Sequence, residues 1–128
     1  MSKSRRYISL AKKVAEQSRY EKFRHGAVLV RGNSVRNVAC NQHRHCHFGR
    51  RFREANTGAP TLHAELGVIL GMDRSTTQGS TVYVARINKE GKARISKPCP
   101  MCEAAMRHVG VRRVYYTNEH GKIERMRL

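Results

Sequence analysis

An α/β domain, with helices covering a mixed sheet, is the fold class this sequence predicts. Three observations lead there. Helical and strand-like hydrophobic periods alternate along the chain in the order α-β-β-α-β-α-β-β. The 128 residues suit one domain, expected to span 1–128, and offer room for a single core. No apolar run approaches the roughly 20 residues of a membrane span, so a single sheet with its covering helices must bury the apolar residues.

The elements follow in order. Ile8, Leu10, Ala11, Val14 and Ala15 recur at helical spacing between Lys12, Lys13 and Glu16, which predicts an amphipathic helix over residues 5–19. Residues 26–31, Gly-Ala-Val-Leu-Val-Arg, read as a buried strand. Gly32-Asn33 turns it, and residues 34–40 return as its hairpin partner. Residues 41–60 are polar and read as one long loop, a length that in a small domain usually carries function. A helix is expected over residues 62–72, a strand over 81–85, and a turn at Lys89-Glu90-Gly91-Lys92. Pro98 is expected to open a helix that stops at Gly110, followed by a strand over 111–117 and a last strand over 122–127.

Charge separates the chain from most small domains. Lys and Arg number 26 against 9 Asp and Glu, a formal net charge of +17. That excess attracts polyanions or phosphorylated ligands and speeds their encounter, and nucleic acid or a nucleotide phosphate is the expected partner. The basic N-terminus has no apolar stretch behind it, so no secretory leader is read. The expected location is cytoplasmic, where the four cysteines stay reduced, and no membrane partner is expected.

Two short segments carry the chemistry, His63-Ala64-Glu65 and Pro98-Cys99-Pro100-Met101-Cys102. Zinc favours nitrogen and sulfur donors in tetrahedral geometry, and a catalytic zinc keeps three protein ligands with water in the fourth place. His63, Cys99 and Cys102 supply three, and no second Cys-x-x-Cys is present to close a structural site. A helix start favours thiolates through its partial positive charge. Glu65 is then the candidate catalytic residue, a carboxylate that shuttles a proton as base and then acid. The spacing His-x-Glu followed by Pro-Cys-x-x-Cys is a signature of zinc-dependent nucleobase deaminases.

On these residues the chain resembles the cytidine and deoxycytidylate deaminase superfamily, which includes the tRNA adenosine deaminases. The resemblance runs from about Tyr20 to the end and includes Phe23-Arg24-His25-Gly26-Ala27-Val28-Leu29-Val30 as the first strand and Asn41 at the end of the second. It implies a three-layer fold, a five-stranded mixed sheet flanked by helices, and one catalytic Zn2+. It also implies that Asn41, Phe23, Ala64 and Pro98 contact the substrate. The reaction it implies is hydrolytic conversion of cytosine to uracil, with release of ammonia, in a nucleoside, a nucleotide such as deoxycytidylate, or single-stranded nucleic acid. Members of the superfamily commonly associate, so a homo-oligomer is expected.

Branch signals diverge. Pro98-Cys99-Pro100-Met101-Cys102 is similar to the tRNA adenosine deaminases, which makes adenosine-to-inosine conversion the alternative, but Lys97 stands where that branch often has Glu. The ending from Tyr115 to Ile123 is similar to free cytidine deaminases, and the 41–60 loop to deoxycytidylate deaminases. In that loop Arg44, Arg50, Arg51 and Arg53 are candidate phosphate ligands, since guanidinium groups bind phosphate in a fork. His43, His45, Cys46 and His47 could hold a second, structural zinc, but phosphate recognition is the preferred reading. A zinc-stabilised nucleic-acid-binding module without turnover is the alternative from another class, one in which Glu65 would be dispensable.

Overall fold

The computed structural model of the chain describes residues 2–20, 23–45 and 61–128. Its elements are helix α1 (Lys3–Ala15), strands β1 (Arg24–Arg31), β2 (Ser34–Cys40), β3 (Gln42–His45) and β4 (Thr61–Leu62), helices α2 (Ala64–Ile69) and α3 (Arg74–Thr77), strands β5 (Thr81–Ile87) and β6 (Ala93–Arg94), helix α4 (Pro100–His108), and strands β7 (Arg113–Thr117) and β8 (Ile123–Arg127). The main sheet runs β2-β1-β5-β7-β8, with β6 paired to β5. Among the described strands, β5 and β7 alone run parallel, joined by a crossover that contains α4. The mixed α/β architecture is therefore as expected, with β6 added to the five main strands.

Strand alternation sorts side chains onto two faces. From β1, Ala27 and Leu29 pack with Val82, Val84, Leu66 and Met106 into the core shared with α2 and α4. Val28 and Val30 point the other way, into a cluster with Tyr7, Ile8, Ala11 and Tyr83 beneath α1. The sheet is thus the middle of three layers. Gly26 makes the α1 layer close: a Cβ there would overlap the Ala11 carbonyl oxygen and lie 2.5 Å from the Ala15 nitrogen.

Several boundaries differ from expectation, each for a local reason. Helix α1 starts two residues early, because Ser2 caps it through a bond from the Arg5 N–H, and it stops at Ala15. Residues 42–45, expected as loop, form a strand against Thr61–Leu62, so α2 cannot open at Leu62 and begins at Ala64 instead. Helix α4 begins at Pro100, not Pro98; Cys99 is its N-cap. The short α3 and β6 carry too few periodic residues to be visible in the sequence.

Candidate active site

Both metal-binding segments meet at helix starts. His63 is the N-cap residue of α2 and Cys99 that of α4, and neither side chain caps its own helix, so both are free to turn outward. Cys102 sits three residues after Cys99, one turn into α4, and is fully buried. What fixes the approach to Cys99 is a buried hydroxyl pair. The Ser96 hydroxyl lies 2.9 Å from the Val84 carbonyl and accepts from the Thr117 N–H at 2.8 Å, while the Ser96 N–H donates to the Thr117 carbonyl at 2.8 Å. The Thr117 hydroxyl donates to the Arg94 carbonyl at 2.6 Å. The chain leading into Pro98-Cys99 is thereby stitched to β5 and β7.

The donor atoms converge. His63 Nδ1 lies 3.2 Å from Cys102 Sγ and 3.7 Å from Cys99 Sγ, and the three ligand atoms lie within 4.8 Å of one another. Zinc bonds of about 2.0–2.1 Å to nitrogen and 2.3 Å to sulfur, in tetrahedral geometry, imply donor separations of roughly 3.5–3.8 Å, so the set fits one zinc ion. The donors also shift one another's protonation. The Cys102 thiol donates to Cys99 and, with the nearby His63, brings the Cys99 thiol down to about 4 despite partial burial. The same bond to Cys99, burial and the adjacent Glu65 push Cys102 well above the usual thiol range. His63 is raised, first by its bond to Cys99.

Beside the donors is a cavity of about 260 Å³ lined by Tyr20, Phe23, His25, Asn41, His63, Ala64, Glu65, Lys97 and Cys99. Glu65 is 5% exposed. Asn41 is clipped to the start of β1: its amide oxygen accepts the His25 N–H at 3.0 Å and its amide nitrogen donates to the Phe23 carbonyl at 2.7 Å. The Phe23 ring is 52% exposed, with the Arg86 guanidinium 4.7 Å from its centroid. Burial lowers His25 below the usual histidine range, against the opposing pull of Glu65.

Six of the residues picked out from sequence thus come together: His63, Cys99, Cys102, Glu65, Asn41 and Ala64, with Phe23 at the edge. Pro98 is buried directly before Cys99 and does not line the cavity. Arg50, Arg51, Arg53, Cys46 and His47 lie outside the described residues, as do the side chains of His43, Arg44 and His45. Sequence reading passed over Tyr20, His25 and Lys97 as site residues. His25 had a usable signal: it alternates with Ala27 and Leu29, so it shares their face of β1.

Comparison with known proteins places this geometry. Residues 1–118 match the family described as the cytidine and deoxycytidylate deaminase zinc-binding region. No curated protein sequence matches at a significant level. Among solved structures, a dCMP deaminase from the cyanophage S-TIM5 is similar with a TM-score of 0.63 and 21% identity, covering 90% of this chain and 82% of that one. RibD from Acinetobacter baumannii aligns at a TM-score of 0.56 and 17% identity, over 91% of this chain and 28% of its own. A mutant cytidine deaminase from Mycobacterium tuberculosis aligns at 0.53 and 20% identity, over 88% and 82%.

Proposed function

The chain belongs to the cytidine and deoxycytidylate deaminase family, and on that premise we propose that it hydrolyses the exocyclic amine of a cytosine-type base, giving uracil and ammonia, in a nucleoside, a nucleotide or single-stranded nucleic acid. The observation that carries this reading is the buried Glu65 carboxylate beside three converging donors on the wall of a cavity. The cyanophage dCMP deaminase has also been solved with dCMP and dUMP, which favours cytosine over adenine here.

His63, Cys99 and Cys102 would hold the zinc. When bound, zinc supplies Lewis acidity that makes water a nucleophile near neutral pH. Glu65 accepts a proton from that water as its oxygen bonds to the amine-bearing carbon. It delivers the proton to the ring nitrogen, then moves the second proton of the added oxygen to the amine, so the C–N bond breaks and ammonia leaves. Ala64 forms the wall between His63 and Glu65. Pro98, buried directly before Cys99 and off the cavity wall, leads the chain into the N-cap and does not touch the substrate in this reading. Asn41 uses one of its two amide hydrogens on Phe23, which orients the other toward a sugar hydroxyl, and Phe23 offers a ring face to the nucleoside.

The test is a mass-spectrometric assay of zinc-loaded protein on cytidine, deoxycytidine, deoxycytidylate, adenosine, single-stranded DNA and RNA, and tRNA. Cytosine substrates are expected to gain a carbonyl oxygen. Glu65→Gln is expected to lower turnover by about 10²–10⁴ while keeping its zinc. Conversion of adenosine alone would replace cytosine by adenine in this reading. Binding of nucleic acid with no conversion by wild type would favour the silent module.

A further inference from the structure

The catalytic cavity, at about 260 Å³, lies just below the roughly 300–1,000 Å³ of most small-molecule sites. Tyr20, which lines this cavity, also lines a second groove of about 280 Å³ with Ser18, Arg19, Arg24 and Lys89. Among the described residues that line the groove, three are cations and none is a carboxylate. None of the three joins an ion pair among the described residues. Arg24 is held in place: one of its terminal nitrogens donates to the carbonyls of Asn88 at 2.6 Å and Lys89 at 3.5 Å, tying the β5–β6 turn to the start of β1.

Like charges gathered in one concavity repel, and an anion relieves that repulsion while gaining charge-assisted bonds. Lys97 on the cavity wall extends the cationic track back to the reacting centre. Next to Arg24 in the chain, Phe23 presents a half-exposed ring that Arg86 steadies from one side. Cations that track a backbone and an aromatic face on which a base stacks are the two parts of a single-strand binding path.

Resting on the reading of the cavity as a nucleobase site, we propose that Arg19, Arg24 and Lys89 hold the phosphates of a single-stranded polynucleotide next to the base in the cavity, with Phe23 stacking that base or its neighbour. A lone nucleotide would engage one or two of these cations; a strand engages all of them along with Lys97.

The test uses zinc-loaded, full-length protein and a fluorescent single-stranded oligonucleotide with one cytosine, titrated at several salt concentrations, against the double variant Arg19→Ala/Lys89→Ala. Each lost phosphate contact lowers the magnitude of the log K against log salt slope by about 0.7, so the double variant is expected to lose about 1.4 and to bind at least about tenfold more weakly at low salt. The charge control is Arg112→Ala/Arg125→Ala, exposed residues on the β7–β8 side of the sheet, which is expected to keep the wild-type slope. An equal loss in both doubles, or no loss in either, overturns the groove. Deoxycytidylate turnover equal to that of the oligonucleotide, and equally harmed by the groove variant, overturns the polynucleotide and leaves the groove to the nucleotide's own phosphate. A groove-specific slope change without conversion of cytosine would uphold the groove and remove the proposed reaction.

Discussion

The two faces of the sheet are built on different terms. Under α1 the contacts are apolar and aromatic: Ile8, Ala11, Val28 and Val30 pack together, and the Tyr83 ring stacks on Tyr115 and tilts against Tyr7, each at 4.9 Å between centroids. On the other face the core stops short of the cavity. There Glu65 and Cys102 are buried, and hydroxyls and amides fix the chain instead of apolar contacts. One face is organised around close packing alone, while the other joins the larger apolar core to titratable groups held in position at its edge. Stability is expected to draw on both faces, and activity on the second alone.

The largest effect that would break this division is Gly26→Ala. The new methyl meets the backbone of α1 at Ala11 and Ala15, which no rotamer change can relieve. Overpacking of this kind costs typically 1–3 kcal/mol, and a rigid backbone partner puts this site at about 3 kcal/mol. Urea unfolding is expected to show the drop as a lower midpoint with an unchanged slope. A neutral outcome would mean that α1 floats on the sheet, and the stability attributed to that face would have to be placed elsewhere.

Ser96→Ala probes the other face. It strands the buried Thr117 N–H and removes a stitch to Val84, a loss of about 1–3 kcal/mol for an unsatisfied buried group. Because this stitch sets the approach to Cys99, zinc retention is expected to fall along with stability. Chelator competition distinguishes the two effects. Loss of stability with full zinc affinity would show that Ser96 serves the sheet alone.

Zinc uptake itself sharpens the contrast through pH. With Cys99 lowered to about 4, its thiol is already ionised near neutrality and releases nothing. Cys102 is raised, so it still carries a proton that zinc must displace. His63, also raised, carries a second one below its own pKa. Affinity is therefore expected to climb with pH, about tenfold per unit from Cys102, and more steeply on the acid side where His63 is protonated. Competition with a chromophoric chelator from pH 6 to 8 reads this slope. A flat profile would place both thiols as thiolates before metal arrives.

How much was legible in the sequence follows the same division. His63 with Glu65, and Cys99 with Cys102, are near neighbours in the chain, so their spacing revealed the donor set before any fold was known. The elements of the core were visible wherever a periodic stretch was long, as in α1, β1 and β5. Tyr20, His25 and Lys97 come from three separate segments, and only the folded sheet brings them to one cavity. Ser96 was invisible for another reason: its role depends on Thr117, 21 positions away. The starts of α2 and α4 lie two residues later than periodicity places them, because pairing at Thr61–Leu62 and an N-cap at Cys99 are decided by partners that periodicity does not encode.

The smallest expected effect tests whether charge contributes to the stability of either face. Glu103 and Arg107 form an i,i+4 pair on α4 at 3.0 Å, with side chains 30% and 55% exposed. Such pairs contribute about 0.3–0.5 kcal/mol because water screens them and ordering two long side chains costs entropy. Arg107→Ala should therefore shift the urea midpoint barely beyond measurement, and the shift should vanish at high salt. In a chain of charge +17, however, each cation also repels the others, so its removal relieves some strain. The two contributions oppose each other. A net stabilisation at low salt that disappears at high salt would show that the cationic excess outweighs the pair, and that the fold gives up stability to keep its charge.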